Sequence, residues 1–216
     1  MRPRPREVIV VRTGVANTAS ITAALERAGA APRLSRDARE VVDAEMVVLP
    51  GVGAFGAAMN EIRRTGLDCA IIERVALDRP LLAICLGLQV LCASSEESPG
   101  TRGLGIIPAG ATRLQPGPGV RVPHLGWNSV KPGPGFTLAR AGMAYFANSY
   151  KLDQVPKGWT ECTSDYGRVF IAALQRGSLL ACQFHPELSG AWGAALIRRW
   201  VQAATAEEGA PCSAAV

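Results

Sequence analysis

No stretch of this sequence approaches the roughly 20 consecutive apolar residues that a bilayer-spanning helix needs, so a transmembrane helix is excluded. Histidine is scarce: His124 and His185 are the only two in 216 residues, which narrows the choice of any imidazole base. The six cysteines (Cys69, Cys85, Cys92, Cys162, Cys182 and Cys212) include no CxxC pair. Residues 1–6 (MRPRPR) alternate Arg with Pro where a secretory leader would carry an apolar core. Free thiols in a reducing, cytoplasmic compartment are therefore expected, with no disulfide framework and no metal centre. A clustered basic face is also lacking. The 23 basic and 18 acidic residues give a net charge of +5, but the basic ones are scattered apart from Arg2, Arg4, Arg6 and the Arg198-Arg199 pair. Neither nucleic acid nor a membrane is an expected partner. The surplus reads as a solvated surface with a basic bias, or as a diffuse field that eases the approach of anionic phosphate substrates or an acidic partner. There is no internal repeat, no GK[ST], no GxGxxG and no linker long enough to separate domains, and no cofactor is expected.

What is present is a 48% hydrophobic chain, long enough to fill one core and short of the size at which cores divide. One domain over residues 1–216 is expected, with residues 1–6 and about 206–216 as flexible tails. Residues 7–12 (EVIVVR) form a short β-branched run. A Gly/Asn turn follows, then residues 18–28, whose Ile21, Leu25 and Ala28 recur at helical spacing with Gly29 placed to end the helix. Residues 46–49 (MVVL) give a second buried strand ending in the Gly-rich segment 50–56 (PGVGAFG), and 57–77 read as one or two helices broken near Gly66. Residues 81–84 (LLAI) are a third strand, Cys85 stands directly after it, and a short helix begins at 87–93 (GLQVLCA). Strands alternating with helices predict an α/β fold with a mostly parallel central sheet flanked by helices. Between residues 103 and 176 Gly/Pro turns separate short strands such as 111–114, 143–147 and 169–174, which predicts antiparallel additions to that sheet. Residues 179–183 (LLACQ) are a last buried strand, and 191–204 a helix with Trp192, Leu196 and Trp200 on one face.

A cysteine between a buried strand and a helix lies at the carboxyl edge of a parallel sheet, where open α/β folds bind their ligands. The N–H groups and positive dipole end of the following helix favour thiolate over thiol, and the same N–H groups suit an oxyanion. Gly87 allows the tight turn of a nucleophile elbow, of which AICLG is a cysteine counterpart, with Ala83 at the first small position. Taken alone, Cys85 reads equally as one more small buried residue in an apolar run. If it is a catalytic thiol, its base is His124 or His185. His185, in QFHPELSG, has Glu187 two residues on; in an extended stretch the two side chains share a side, so the carboxylate can orient the imidazole. A surface histidine beside a turn proline is the alternative. Segment 50–56 can cradle a phosphate or simply turn; Gly51 and Gly53 let backbone N–H groups close on a small polar atom, as an oxyanion site requires.

Taken together, LLAICLGLQVL (81–91), QFHPELSG (183–190) and LPGVGAFG (49–56) resemble the class I, triad-type glutamine amidotransferases. RVPHLGWNSV (121–130), TGVANTASITAALERAG (13–29) and AYFANSYK (144–151) are similar to the glutaminase subunits of imidazole glycerol phosphate synthases, so the resemblance covers nearly the whole chain. It implies a flavodoxin-like class I amidotransferase fold and hydrolysis of glutamine to glutamate and ammonia, with Cys85 as nucleophile, His185 as proton shuttle and Glu187 as its orienter. It further implies that Gln89 and the loop of Gly51, Val52 and Gly53 hold the substrate, and that the oxyanion donors are the N–H of Leu86 and one from that loop, which reorients when the partner's ligand binds. The implied partner is a separate (β/α)8-barrel cyclase subunit, joined in a heterodimer, which uses the ammonia to make imidazole glycerol phosphate and AICAR in histidine biosynthesis. Asn17, His124, Trp127, Asn128 and Tyr145 match positions near the interface and signalling region, with turn formation and packing as their other reading. Two residues depart from the family pattern: Asn148 stands where a histidine is common, and Leu188 where Lys or Arg often follows His-Pro-Glu. The competing readings are the glutaminase of another ammonia-using synthase, such as pyridoxal phosphate synthase, against which PHLGWN speaks, and a non-catalytic regulatory subunit, which would usually lack one of the three triad residues.

Overall fold

The computed structural model describes residues 4–13 and 18–206. The first half alternates strand and helix: β1 (Arg6–Val11), α1 (Thr18–Arg27), β2 (Ala30–Ser35), α2 (Ala38–Asp43), β3 (Met46–Gly51), α3 (Phe55–Arg64), α4 (Leu67–Ala76), β4 (Leu81–Cys85) and α5 (Leu86–Leu91). Short strands dominate thereafter: β5 (Cys92–Ser95), β6 (Ile107–Arg113), β7 (His124–Pro132), β8 (Gly142–Asn148), β9 (Tyr150–Lys151), β10 (Thr160–Asp165), β11 (Val169–Arg176) and β12 (Leu179–Cys182). A 3-10 turn at Pro186–Leu188 and the helix α6 (Gly190–Ala206) complete the described chain. None of the described helices is long and apolar enough to cross a membrane.

Nine strands join in the order β2-β1-β3-β4-β12-β11-β10-β7-β8. From β2 to β12 neighbours run parallel, and from β12 to β8 every pairing is antiparallel. This is the mixed, mostly parallel α/β core with antiparallel additions that the sequence pattern predicts. Because successive strand residues face opposite sides, the sheet feeds two separate cores. Val8 and Val10 pack on one side with Ile21 and Leu25 of α1 and with Leu196, Ile197 and Trp200 of α6. Ile9 and Val11 pack on the other with Val41, Phe55, Met59, Ile62, Leu67 and Ile71 of α2, α3 and α4.

Several local expectations are corrected. β2 and α2 are not anticipated by the sequence pattern: β2 is an edge strand carrying Pro32 with half its side chains exposed, and α2 buries only Val41. Asp37 starts α2 by accepting the N–H groups of Arg39 and Glu40 at 2.8 and 3.0 Å. The helix after Cys85 stops at Leu91 rather than running through residue 93, because Cys92–Ser95 pair with β6 instead. β6 itself joins β5 and β9 in a second, three-stranded sheet and not the main one. Arg6, expected in a tail, opens β1 and pairs with Ala30.

Two glycines are required for different reasons, one by backbone conformation and one by close approach. Gly66, at φ 70°, makes the break between α3 and α4. Gly87 has an ordinary φ, so its role is not the tight turn itself: a Cβ there would stand 2.0 Å from the Leu49 carbonyl oxygen. The lack of a side chain lets α5 lie directly on β3, which holds the end of β4 in place. Arg74 is fully buried without a carboxylate; its guanidinium donates to the carbonyls of Val41, Ala44 and Pro80 at 2.8–2.9 Å, tying the end of α2 to the start of β4. Burial pushes its pKa down to about 10.

Gly87→Ala is expected to destabilise the protein by roughly 2–3 kcal/mol, since backbone must move to admit one methyl group. Gly117→Ala, where a Cβ meets nothing within 4 Å, should stay within about 0.5 kcal/mol of the parent. Urea unfolding of both variants checks the contrast.

Candidate active site

β4 and β12 are adjacent and parallel, with Ile84 opposite Cys182. Whatever follows each strand therefore emerges at the same sheet edge, and this brings Cys85 beside Gln183 and His185. Cys85 ends β4 and starts α5 with φ 54° and ψ −109°, a conformation a non-glycine residue adopts only under constraint. The strained bend turns the sulfur out of the strand direction; the residue is 7% exposed.

His185 is held on four sides. Its backbone N–H donates to the Tyr145 carbonyl at 2.9 Å. Its own carbonyl accepts the Ser189 hydroxyl at 2.6 Å, and that hydroxyl accepts the Tyr145 N–H at 2.9 Å. In the ring, Nδ1 lies 2.8 Å from Glu187 Oε1, and the Cys85 side chain is its neighbour in the cleft. The contact with Glu187 forms for a different reason from the extended geometry expected: Pro186–Leu188 is a 3-10 turn, and it curls the carboxylate back onto the imidazole. Both side chains are less than 9% exposed. Burial alone pushes the His185 pKa down, but the hydrogen bonds and charges of Cys85 and Glu187 outweigh it and raise it to about 10.

His124 has the opposite setting. It is 2% exposed, stacked between Tyr166 at 3.8 Å and Phe146 at 4.9 Å, with Nδ1 unpartnered. Burial takes its pKa down to about 4. Of the two readings of this position, the burial fits packing: His124 is a neutral ring in the core. Asn128 acts locally, donating to the Asp165 carbonyl at 2.8 Å and accepting the Ser129 N–H at 2.7 Å. Trp127 is 54% exposed and meets Tyr145 edge-on at 6.2 Å. Leu125, Met143 and Leu188 are exposed as well. Asn17 lies outside the described residues.

Cys85 and His185 open into a cleft of about 330 Å³, a size suited to a small molecule. Val52, Gly53, Leu86 and Gln89 line it as the sequence predicts, but Gly51 does not. Gly51 is buried where a Cβ would stand 2.8 Å from Gly87 N and from Leu86 Cβ, so its role is to let β3 pack against α5. Asn148, the residue standing where the family often has histidine, lines the cleft, donating to the Tyr150 carbonyl at 3.0 Å with its Oδ1 unpartnered.

Four participants escape the sequence reading. Glu97 reaches the cleft wall from the loop after β5, where it also accepts the Phe55 N–H at 2.7 Å; no local pattern places it there. The Ala147 carbonyl lies 3.9 Å from the Cys85 sulfur, and no side-chain pattern can reveal a backbone group. Ser189 follows His-Pro-Glu closely enough to have been suspected of tying the turn. Gln183 is fully buried, and its Nε2 lies 3.7 Å from the sulfur. A glutamine ending an otherwise apolar strand was the available signal.

The class I glutamine amidotransferase family model matches residues 10–203. The chain is 43% identical over 197 residues to imidazole glycerol phosphate synthase subunit HisH of Streptococcus gordonii, covering 89% of this chain and 94% of that protein. It is 38% identical over 199 residues to the chloroplastic imidazole glycerol phosphate synthase hisHF of Arabidopsis thaliana, covering 90% of this chain and 34% of that longer protein. A solved glutamine amidotransferase superposes with a TM-score of 0.74 at 20% identity over 92% of this chain and 98% of its own, which shows the shared fold.

At pH 7 the imidazole proton NMR spectrum is expected to show one charged ring, His185, and one neutral ring, His124. Because folding raises the His185 pKa above its ordinary 6.5, the stability it contributes is complete below pH 6.5 and is lost as pH rises towards about 10. Glu187→Gln should move the His185 midpoint down by at least about one unit and shrink that pH-dependent loss, with His124 unmoved.

Proposed function

This chain belongs to the class I glutamine amidotransferases, and from that premise we propose that it is the glutaminase subunit of an imidazole glycerol phosphate synthase, acting in histidine biosynthesis through Cys85, His185 and Glu187. The observation that carries the site assignment is the buried contact of Glu187 with His185 at 2.8 Å, on a ring that shares the cleft with the Cys85 side chain.

On this reading the Cys85 sulfur attacks the side-chain amide carbon of glutamine, and the carbonyl oxygen becomes an oxyanion. The N–H of Leu86, in the first turn of α5, and one N–H from Val52 or Gly53 receive it. The C–N bond then breaks as His185 gives its proton to the leaving nitrogen, so ammonia departs and a γ-glutamyl thioester remains. Water attacks that thioester, His185 takes the proton, and glutamate leaves as the thiol is restored. Glu187 keeps the imidazole in one tautomer and offsets its positive charge. Gln89 Oε1 and the Glu97 carboxylate on the cleft wall offer acceptors for the α-amino end of the substrate.

The ammonia goes, in this proposal, to a (β/α)8-barrel cyclase subunit that docks as the second half of a heterodimer. Leu125, Trp127, Met143 and Leu188 form an exposed apolar face at the cleft side of the molecule, which fits such docking. The Arabidopsis relative, of which this chain covers 34%, supports the same pairing of a glutaminase with a further, larger region. The free cysteines among the described residues fit work in the reducing cytoplasm.

Glutamate release measured with the cyclase and its nucleotide substrate is expected to fall at least about a thousand-fold in Cys85→Ala, with the complex still co-purifying. Equal turnover in variant and parent would overturn the assignment of the nucleophile. Trp127→Ala should weaken co-purification while leaving the fold intact, because it removes the largest exposed ring of the docking face.

A further inference from the structure

Gln183 has no route to a substrate: it is fully buried, its backbone N–H is tied to the Ala172 carbonyl at 2.8 Å, and its side chain runs beneath the nucleophile. Its amide lies between two groups. Gln89 Nε2 approaches Gln183 Oε1 at 3.0 Å, and Gln183 Nε2 approaches the Cys85 sulfur at 3.7 Å. Which end of each amide faces which neighbour is settled by a backbone group that cannot reverse. The Tyr150 carbonyl accepts from Gln89 Nε2 at 3.3 Å and from Asn148 Nδ2 at 3.0 Å. A carbonyl only accepts, so Gln89 must turn its NH₂ that way. The second proton of that NH₂ then needs an acceptor, Gln183 must offer Oε1, and the Gln183 NH₂ is left facing the sulfur. Reversing Gln183 would set donor against donor in a buried site, at the cost of an unsatisfied group.

We propose that Gln183 is a positioning residue that selects the thiolate form of Cys85, with its polarity enforced by Gln89 and the Tyr150 carbonyl. The inference rests on the reading of Cys85 as nucleophile. The sulfur has contrasting neighbours: the Ala147 carbonyl at 3.9 Å suits an S–H donor, whereas the Gln183 N–H and the His185 imidazole, itself backed by Glu187, suit S⁻. In a buried setting a directed N–H favours the anion, and the opposing carbonyl does not. The relay also begins at the cleft wall, since Gln89, Asn148 and Tyr150 all line it. Ligand contact with those residues is thereby linked to the charge state of the sulfur.

The test is the pH dependence of Cys85 alkylation by iodoacetamide in the full chain, read by mass spectrometry of the Cys85 peptide so that exposed Cys69 does not interfere. The thiolate displaces iodide and forms the S–C bond, so the rate follows the thiolate fraction. Gln183→Met keeps length and volume but removes the donor; its alkylation midpoint should rise by about one pH unit, with roughly ten-fold slower reaction well below the midpoint. Gln89→Met, which leaves Gln183 free to reverse, should give a smaller rise, and the double variant should shift no further than Gln183→Met alone. An unmoved midpoint in folded Gln183→Met, or additive shifts in the double variant, would overturn the proposal. Should Gln183→Met fail to fold, an unmoved midpoint in Gln89→Met overturns it by itself. If alkylated wild-type protein still hydrolyses glutamine with its synthase partner, the nucleophile assignment fails instead, a separate outcome.

Discussion

The pairing of β4 with β12 is the constraint on which the rest of the site depends. Ile84 and Cys182 are register partners, so the residues that follow them leave the sheet side by side although a hundred positions separate Cys85 from His185. Parallel neighbours also share direction, which means both chains exit at the carboxyl edge, where strand ends are free to bend into turns and helices. Every functional contact is built outward from that edge. The elbow aims the sulfur, the 3-10 turn aims the carboxylate, and β8 holds the imidazole between them through the bond from His185 N–H to Tyr145.

The two histidines show how far surroundings decide chemistry when the side chain is the same. Both are almost completely buried, yet His185 is driven towards the charged form and His124 towards the neutral one. The difference lies in partners. His185 faces a carboxylate and a sulfur, whereas His124 faces aromatic rings that offer a cation nothing strong enough to replace water. Burial is common to both, and it is decisive only where no opposing charge is present.

The parallel half of the fold was legible because its strands are continuous apolar runs and its helices carry spaced apolar residues: MVVL, LLAI and LLAC announce themselves. β2 was not, since an edge strand with Pro32 and exposed side chains carries neither alternation nor a full apolar run. The small sheet of β5, β6 and β9 escaped for a second reason: CASS and YK gain their strand character from pairing with distant chain and not from their own composition. At the site, Cys85, His185, Glu187 and Gln89 stood out in short motifs. Gln183, Glu97 and the Ala147 carbonyl did not, because their meaning arises only when separate segments meet. His124 follows its packing reading: PHLGWN puts it next to exposed Leu125 and Trp127, and strand alternation turns it inward.

That alternation has one last effect at Leu125. The residue is 64% exposed and also lines the cleft wall, so the outer face and the reaction chamber share a rim. A body seated on the face that Trp127 and Met143 share would therefore meet the mouth of the cleft through Leu125.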